Sequence, residues 1–249
     1  MWNEESDWIG SFDALLARLA ECSMCSRRSG ERPGAAQMDV KILDVAAEGG
    51  YGRVFRCLDV HTGALVAMKQ ITMVRLSQGI PAQIIREVSL LRELHHANIV
   101  KLLRVGFTEN RYVNLVFEHL DYDLHQFIVN RGYPKDATTV KSFMFQILSA
   151  VAYCHSRKVL HRDLKPSNVL INHSKRLIKL ADFGLAREFA DDFLYTEKGL
   201  ETFVTDLEPS GLNLLSMMLC LDPSKRISAE ASLKHAYFTD VNWVSLLLL

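Results

Sequence analysis

Two short polar stretches contain the side chains best suited to chemistry. The first reads HRDLKPSN at positions 161–168, and the second reads DFG at positions 182–184. Asp163 can accept a proton from an attacking hydroxyl, and Lys165 can neutralise a phosphoryl group during transfer. Asn168 and Asp182 have hard oxygen atoms, which are suited to binding Mg²⁺. Two such stretches in this order are not expected by chance, so they predict a phosphoryl-transfer site rather than a polar surface loop.

A glycine-rich segment and a lysine upstream could serve the same chemistry. Glycines in 48–52 (EGGYG) lie between two predicted strands and could close over phosphates and donate backbone N–H groups to them. The same segment could be no more than a hairpin turn. Lys69 ends the apolar run VAMK, where a buried ammonium requires an anionic partner or an exit to solvent. Glu87, on the following predicted helix, is a candidate partner, although it could also be a surface charge.

The elements that must position these residues follow from hydrophobic periodicity. Strands are predicted at 41–46, 53–60, 64–72, 100–107 and 112–118, with a helix from Pro81 to about Leu94 after the third strand. A long helix is predicted at 137–156, short strands at 169–172 and 177–180, and two further helices at about 210–221 and 228–235. Five strands followed by a helix-rich part predict the α+β class.

Taken together, the two polar stretches, the glycine-rich segment and Lys69 resemble the signature set of the protein kinase family. The resemblance implies a two-lobed fold with a small β-rich N-lobe and a mainly helical C-lobe, and ATP and Mg²⁺ as cofactors. It implies that Asp163 is the catalytic base, that Lys165 assists it, and that Asn168 and Asp182 hold the metal. The ATP-binding residues that it implies are Ala46, Ala47, Glu48, Gly49, Gly50, Tyr51, Gly52, Arg53, Val54, Ala67, Lys69, Glu87, Glu118, His119, Leu120 and Asp123.

Within that family the sequence is similar to cyclin-dependent Ser/Thr kinases. The segment GIPAQIIRE at 79–87 looks like a variant of their cyclin-docking helix, and the LKPSN context of Lys165 is typical of Ser/Thr kinases. This similarity implies a cyclin partner, protein substrates with Ser-Pro or Thr-Pro sites, and a role in cell-cycle or transcription control. It also implies candidate phosphosites at Tyr51 and Thr196, the latter facing the basic residues Arg86, Arg162 and Arg187.

The sequence departs from the kinase pattern most severely after the DFG stretch. Arg226 follows Asp182 by only 44 positions, so something on the order of 80 residues is absent, spanning the A-P-E anchor and the central helices of the C-lobe. We therefore expect Arg226 to lack its ion-pair partner and apolar residues of the last helices to be partly exposed. The departure also supports a second hypothesis, a non-catalytic homologue that binds nucleotide or cyclin as a decoy or scaffold. Smaller departures are Ala47 in place of the first glycine and Gly50 in place of threonine.

The remaining composition limits the classes of function. With 29 basic and 29 acidic residues, the formal net charge is zero, which argues against a general nucleic-acid binder or a polybasic membrane anchor. Five scattered cysteines suit a reducing compartment, and the lone C-x-x-C at 22–25 has no further zinc ligands nearby. The N-terminus has no apolar core of signal-peptide length, so we expect a cytoplasmic or nuclear protein that is not secreted.

The predicted domain organisation has three parts. Residues 1–38 form an appendage and linker, in which Phe12, Leu15, Leu16 and Leu19 recur at helical spacing. Residues 39–240 form the kinase-like domain, divided into an N-lobe at 39–118 and an incomplete C-lobe at 119–240. Residues 241–249 form a tail whose final leucine run is too short to span a bilayer.

Overall fold

The computed structural model describes residues 39–49, 52–72, 82–108, 112–134, 136–174, 176–184, 187–188 and 207–241. The chain divides into two compact units, each described separately below. The first comprises Met1–Gly79 and Leu102–His119, and the second comprises Ile80–Lys101 and Leu120–Leu249. Within the described ranges, no helix combines the length and the apolar composition needed to cross a membrane.

The first unit is a five-stranded antiparallel sheet. Its strands are β1 (Val40–Gly49), β2 (Gly52–Asp59), β3 (Leu65–Thr72), β4 (Leu102–Thr108) and β5 (Tyr112–Glu118). They lie in the order β1-β2-β3-β5-β4. Alternating apolar residues place one side of the sheet in a buried cluster of Cys57, Val66, Met68 and Val116.

A buried carboxylate holds the turn between β2 and β3. Asp59 is 4% exposed and accepts hydrogen bonds from the backbone N–H groups of His61 (3.0 Å) and Thr62 (2.9 Å). It also pairs with Arg104 of β4 at 2.6 Å. The hydrogen bond from Thr62, followed by the bond and charge of Arg104, lowers the pKa of Asp59 to about 2 in spite of burial. The carboxylate is therefore ionised at neutral pH and fixes the β2–β3 connection.

The second unit contains the helices and two small sheets. Its elements are α1 (Ala82–Glu93), β6 (Tyr122–Asp123), α2 (Leu124–Arg131), α3 (Ala137–Ser156), β7 (Val159–Leu160), a 3₁₀ turn (Pro166–Asn168), β8 (Val169–Asn172), β9 (Leu177–Leu180), β10 (Arg187–Glu188), α4 (Pro209–Met218), α5 (Ala229–Leu233) and a 3₁₀ turn (Ala236–Phe238). In one small sheet β8 pairs with β6 and β9, and in the other β10 pairs with β7. Asp136 caps the long helix α3 by accepting bonds from the N–H groups of Thr138 and Thr139.

The C-terminal elements pack closely against one another. Gly211 of α4 lies where an added Cβ would come within 2.8 Å of the side chains of Leu207 and Tyr237, so only glycine allows this approach. Leu214, one turn further, is 2% exposed. Helix α4 therefore has a buried face although the described residues include none of the central helices expected of a complete C-lobe.

The predicted α+β class is confirmed, with a β-rich unit and a mainly helical unit. The sequence prediction missed α2 and the two-residue strands β6, β7 and β10. The proposed domain boundaries stay a prediction, and the N-terminal appendage at 1–38 lies outside the described residues.

Candidate active site

Asp163 lies at the centre of a small polar network in the segment between β7 and β8. Its Oδ2 accepts hydrogen bonds from Lys165 Nζ at 2.7 Å and from Asn168 Nδ2 at 2.9 Å. Asn168 Nδ2 also donates to the backbone oxygen of Asp163 at 2.9 Å. The bond from Lys165, followed by that from Asn168, lowers the pKa of Asp163 against the opposing effect of desolvation. Asp163 is thus an ionised carboxylate at neutral pH, as a proton acceptor must be.

His161 fixes the position of this segment relative to the DFG stretch. Its side chain is buried, its Nε2 donates to the backbone oxygen of Ala181 at 2.9 Å, and its Nδ1 accepts from the N–H of Asp163 at 3.3 Å. Its ring lies 4.7 Å from the ring of the fully buried Phe183. Burial lowers the pKa of His161 more than its neighbours raise it, which favours the neutral ring that both bonds require.

Two non-glycine residues of the site adopt left-handed backbone conformations. Arg162 has a φ of 65° and Asp182 a φ of 61°. Such conformations cost free energy for side chains with a Cβ, and they concentrate where surrounding contacts impose a functional geometry. The strain at Arg162 lies beside the predicted base Asp163, and the strain at Asp182 lies at a predicted metal ligand itself.

The β8–β9 hairpin brings the two candidate metal ligands to one end of a sheet. Val169 pairs with Leu180, and the N–H of Ala181 donates to the backbone oxygen of Asn168 at 2.9 Å. Because the Nδ2 of Asn168 is bonded to Asp163, its amide oxygen is the atom that can face a cation. An amide oxygen and the carboxylate of Asp182 suit Mg²⁺, which is commonly bound by one or two protein ligands together with phosphates. The described residues hold no cluster of three His, Cys, Asp or Glu side chains suited to a metal.

In the first unit, Gly52 begins β2 at the end of the glycine-rich segment. Its φ is 136°, and an added Cβ would stand 2.1 Å from the backbone oxygen of Gln70 on β3. Gly52 pairs with Gly49 across the β1–β2 hairpin. The hairpin therefore needs this glycine for its own geometry, apart from any contact with phosphate.

We expect Gly52→Ala to lower the melting temperature, because the added methyl group collides with backbone and occupies a conformation that L side chains rarely adopt. The expected loss is at least about 2 kcal/mol of unfolding free energy, measurable by urea denaturation. Gly63→Ala is the matched control, since its φ is also positive at 67° but an added Cβ would meet nothing within 4 Å. Equal losses in the two variants would contradict the collision as the cause.

Lys69 and Glu87 belong to different units. Lys69 lies on β3, opposite Val54 and Leu115, and Ala67 lies two residues before it on the same side of the strand. Glu87 on α1 is 3% exposed, which does not fit a plain surface charge. The pairing of Lys69 with Glu87 remains a prediction.

Other predicted site residues have roles that the structure makes visible. Asp123 caps α2 by accepting a bond from the N–H of Gln126 at 2.7 Å, whereas its contact with a ribose stays a prediction. Glu48 pairs with Arg53 at 2.7 Å across the β1–β2 hairpin, and both side chains are exposed.

Some predicted residues lie outside the described part of the chain, namely Gly50, Tyr51 and Thr196, and so does the side chain of Arg187. Three of the predicted ATP-binding residues lie at the end of β5, where Glu118 is the last residue of the strand and His119 and Leu120 follow it, all three half-buried.

As expected, Arg226 has no carboxylate partner among the described residues, but its guanidinium is hydrogen-bonded. Its Nε donates to the backbone oxygen of Cys220 at 2.8 Å and its guanidinium also reaches the oxygen of Leu221 at 3.3 Å, both in the segment that follows α4. The side chain is exposed rather than buried. Arg226 therefore satisfies carbonyl groups beyond the C-terminus of α4 and carries no penalty for an unpaired buried charge.

Sequence reasoning also missed two residues that support the site. Asn98, which is 8% exposed, donates through Nδ2 to the backbone oxygen of Ile178 at 2.8 Å and to Gln146 Oε1 at 2.9 Å. Gln146 Oε1 in turn accepts from the N–H of Ile178. The hydrogen bonds of these two side-chain amides link β9 to α3 and to the segment after α1. A buried polar residue beside an apolar run (ANIV at 97–100) was the only available signal.

Comparison with known proteins agrees with this geometry. The protein kinase domain matches residues 42–205, more than half of the chain, and the chain belongs to that family. Its α+β architecture is accordingly that of a protein kinase whose C-lobe is truncated.

Within the family, the chain is of the cyclin-dependent-kinase-like type, as the sequence resemblance predicted. A curated protein of Trypanosoma brucei brucei, Cell division control protein 2 homolog 1, is 50% identical to it over 147 residues. The match covers 59% of this chain and 48% of the relative, so the chain spans about half the length of the curated relative that it matches.

Proposed function

We propose that the chain derives from, and retains the chemical groups of, an ATP-dependent Ser/Thr kinase of the cyclin-dependent type. The observation that best supports this proposal is the network at Asp163, in which Lys165 and the candidate metal ligand Asn168 donate hydrogen bonds to an ionised carboxylate. Mg²⁺, when bound, would neutralise charge on the phosphates of ATP.

Each residue has a distinct part in this proposal. Asp163 would accept the proton of a substrate hydroxyl, and Lys165 would stabilise negative charge on the transferred group. Asn168 and Asp182 would hold the metal, while Lys69 would bind phosphates and Glu87 would orient Lys69. Catalysis would then consist of positioning and charge stabilisation. Cyclin binding through α1 and Ser-Pro or Thr-Pro substrates belong to the same proposal, as does a cytoplasmic or nuclear location.

Nucleotide binding should survive the truncation, because the glycine-rich segment, Lys69 and Glu87 precede the missing part. We expect saturating Mg-ATP to raise the melting temperature by about 5–10 °C, since a ligand at a hundred times its dissociation constant contributes about 2.7 kcal/mol. Lys69→Met should abolish the shift. Lys41→Met, an exposed lysine of the same sheet, should keep it. No shift in the unmodified chain at millimolar nucleotide would count against the proposal.

The truncation favours a second candidate, a non-catalytic homologue that binds nucleotide or cyclin. The observation that supports this candidate is the short separation of Asp182 from Arg226 along the chain, which leaves no room for the central helices. Grafting the missing segment from a complete relative separates the candidates. We expect the grafted chain to transfer phosphate to a Thr-Pro peptide at least about a hundredfold faster than the present chain. Equal rates would show that the missing helices are not what limits catalysis.

A further inference from the structure

The outer edge of β9, which is the edge away from β8, is hydrogen-bonded at both Ile178 and Leu180. The N–H of Ile178 donates to Gln146 Oε1 at 2.8 Å, and its backbone oxygen accepts from Asn98 Nδ2 at 2.8 Å. The N–H of Leu180 donates to the backbone oxygen of Asn98 at 2.8 Å, and its own oxygen accepts from the N–H of Val100 at 2.9 Å. Asn98 therefore binds this edge twice, once through its side chain and once through its backbone.

The candidate metal ligand Asp182 follows this strand after a single residue, Ala181. The N–H of Ala181 donates to the backbone oxygen of Asn168 at 2.9 Å, and its oxygen accepts from His161 Nε2 at 2.9 Å. Asp182 then has a φ of 61°, a conformation that a non-glycine residue keeps only where its surroundings impose it. The backbone that leads into Asp182 is thus bound on both sides, by β8 on one and by the segment containing Asn98 on the other.

We propose that Asn98 is a positioning residue for Asp182, because by holding the outer edge of β9 it keeps the Asp182 carboxylate in place to bind Mg²⁺ together with Asn168. This inference rests on the proposed function, since the metal site belongs to it. A residue that orients a metal ligand without touching the metal commonly changes metal affinity by about 10–100-fold when it is lost.

The side chain of Asn98 is suited to this part. It is 8% exposed, and its Nδ2 donates both to the backbone oxygen of Ile178 and to Gln146 Oε1, at 2.8 and 2.9 Å. An amide nitrogen has two hydrogens, so both are used. Alanine at this position would leave the oxygen of Ile178 without its donor, in a buried place where an unmade bond is costly.

Nucleotide binding with and without metal separates positioning from general stability. In Asn98→Ala, the Kd of ATP in excess Mg²⁺ should rise at least about tenfold, because Asp182 is displaced. The Kd of ATP in EDTA should stay unchanged, because the proposed binding of phosphates by the glycine-rich segment and Lys69 does not involve β9. Isothermal titration calorimetry on the full chain measures both constants.

Ser228→Ala is the matched control. It removes the hydrogen bond from the N–H of Ala231 that caps α5, so it destabilises the same unit at a position outside β9. Both dissociation constants should stay as in the unmodified chain. Equal weakening of both constants in Asn98→Ala, or a change in neither, would overturn the positioning role. An unmodified chain that binds ATP equally well with and without Mg²⁺ would also overturn it.

Hydrogen exchange without any ligand distinguishes this inference from the proposed function. In Asn98→Ala, amides at 182–184 should exchange several-fold faster, while those of α5 at 229–233 stay unchanged. Unchanged exchange at 182–184 would refute the role of Asn98 whatever the nucleotide does. Faster exchange there, in a chain that binds no nucleotide even when unmodified, would support the role of Asn98 in holding Asp182 and reject the proposed function.

A milder variant covers the case in which Asn98→Ala does not fold. Asn98→Ser keeps one donor on a shorter side chain, so it should give the same changes to a smaller extent. Exchange at 182–184 and a Kd for Mg-ATP that both match those of the unmodified chain would then contradict the proposal.

Discussion

Glu208→Gln combined with Asp240→Asn is expected to lower the unfolding free energy by about 3 kcal/mol, because it leaves the ammonium of Lys141 buried without an anion. The side chain of Lys141 is 6% exposed, and its Nζ lies 2.7 Å from Glu208 and 2.8 Å from Asp240. Burial alone would lower the pKa of Lys141, but the bonds to Asp240 and Glu208 outweigh it and raise the pKa. Urea denaturation measures the loss.

A third substitution provides the control for this prediction. Lys141→Met, added to the double variant, removes the unpaired charge and should restore most of the lost stability, since an apolar side chain of similar length suits a buried position. If the triple variant were as unstable as the double variant, the loss would come from other contacts of the two carboxylates, such as the hydrogen bond from Ser210 to Glu208, and not from the charge. An unchanged double variant would show that Lys141 finds water or another partner.

The Lys141 cluster also explains how the C-terminal elements hold together without the central helices. Lys141 belongs to α3, Glu208 precedes α4, and Asp240 follows the last 3₁₀ turn, so one cation joins three parts of the second unit. The ammonium also lies 4.8 Å from the centre of the Tyr237 ring. No sequence pattern indicates this cluster, because its members are 67 and 32 residues apart along the chain.

Elements with strong periodicity could be predicted from the sequence almost to the residue. The long helix α3 occupies 137–156 as predicted, because its apolar residues repeat at helical spacing. Helix α2 was missed because it has only eight residues, so its apolar residues at helical spacing, Leu124, Phe127 and Ile128, cover little more than one turn. Its start at Asp123 was also obscured, since that residue was assigned to ribose binding and not to a helix cap.

In the candidate site, too, some features could be predicted from the sequence and others could not. Residue types and spacing identified Asp163, Asn168 and Asp182, because the chemistry requires those side chains in that order. The left-handed backbone at Arg162 and Asp182 could not be predicted, because neither residue is glycine, the residue type that ordinarily adopts this conformation. The hydrogen bonds of Arg226 could not be predicted, because its partners are backbone carbonyl groups and residue types carry no sign of them.

Asp163→Asn is expected to lower kcat by about 10²–10⁴-fold, the usual contribution of proton transfer to a positioned base. The variant should be made in the grafted chain described above, because its faster phosphate transfer keeps a rate reduced by this factor measurable. An asparagine at 163 can keep the bond from Lys165 through its amide oxygen, so the local structure should persist. The Mg-ATP shift in melting temperature should therefore stay unchanged, which separates lost chemistry from lost binding.

The pH profile of the same enzyme tests the electrostatics of the base. Because Lys165 and then Asn168 lower the pKa of Asp163, the carboxylate stays ionised as pH falls to the ordinary Asp value of about 4, and kcat should decline only below it. Lys165→Met removes the interaction that lowers the pKa of Asp163 most, so it should move the acidic limb of the kcat profile to higher pH. Asp39→Asn, an exposed carboxylate on the first unit, serves as the control and should change neither kcat nor the limb. Activity that persisted in Asp163→Asn would exclude Asp163 as the base.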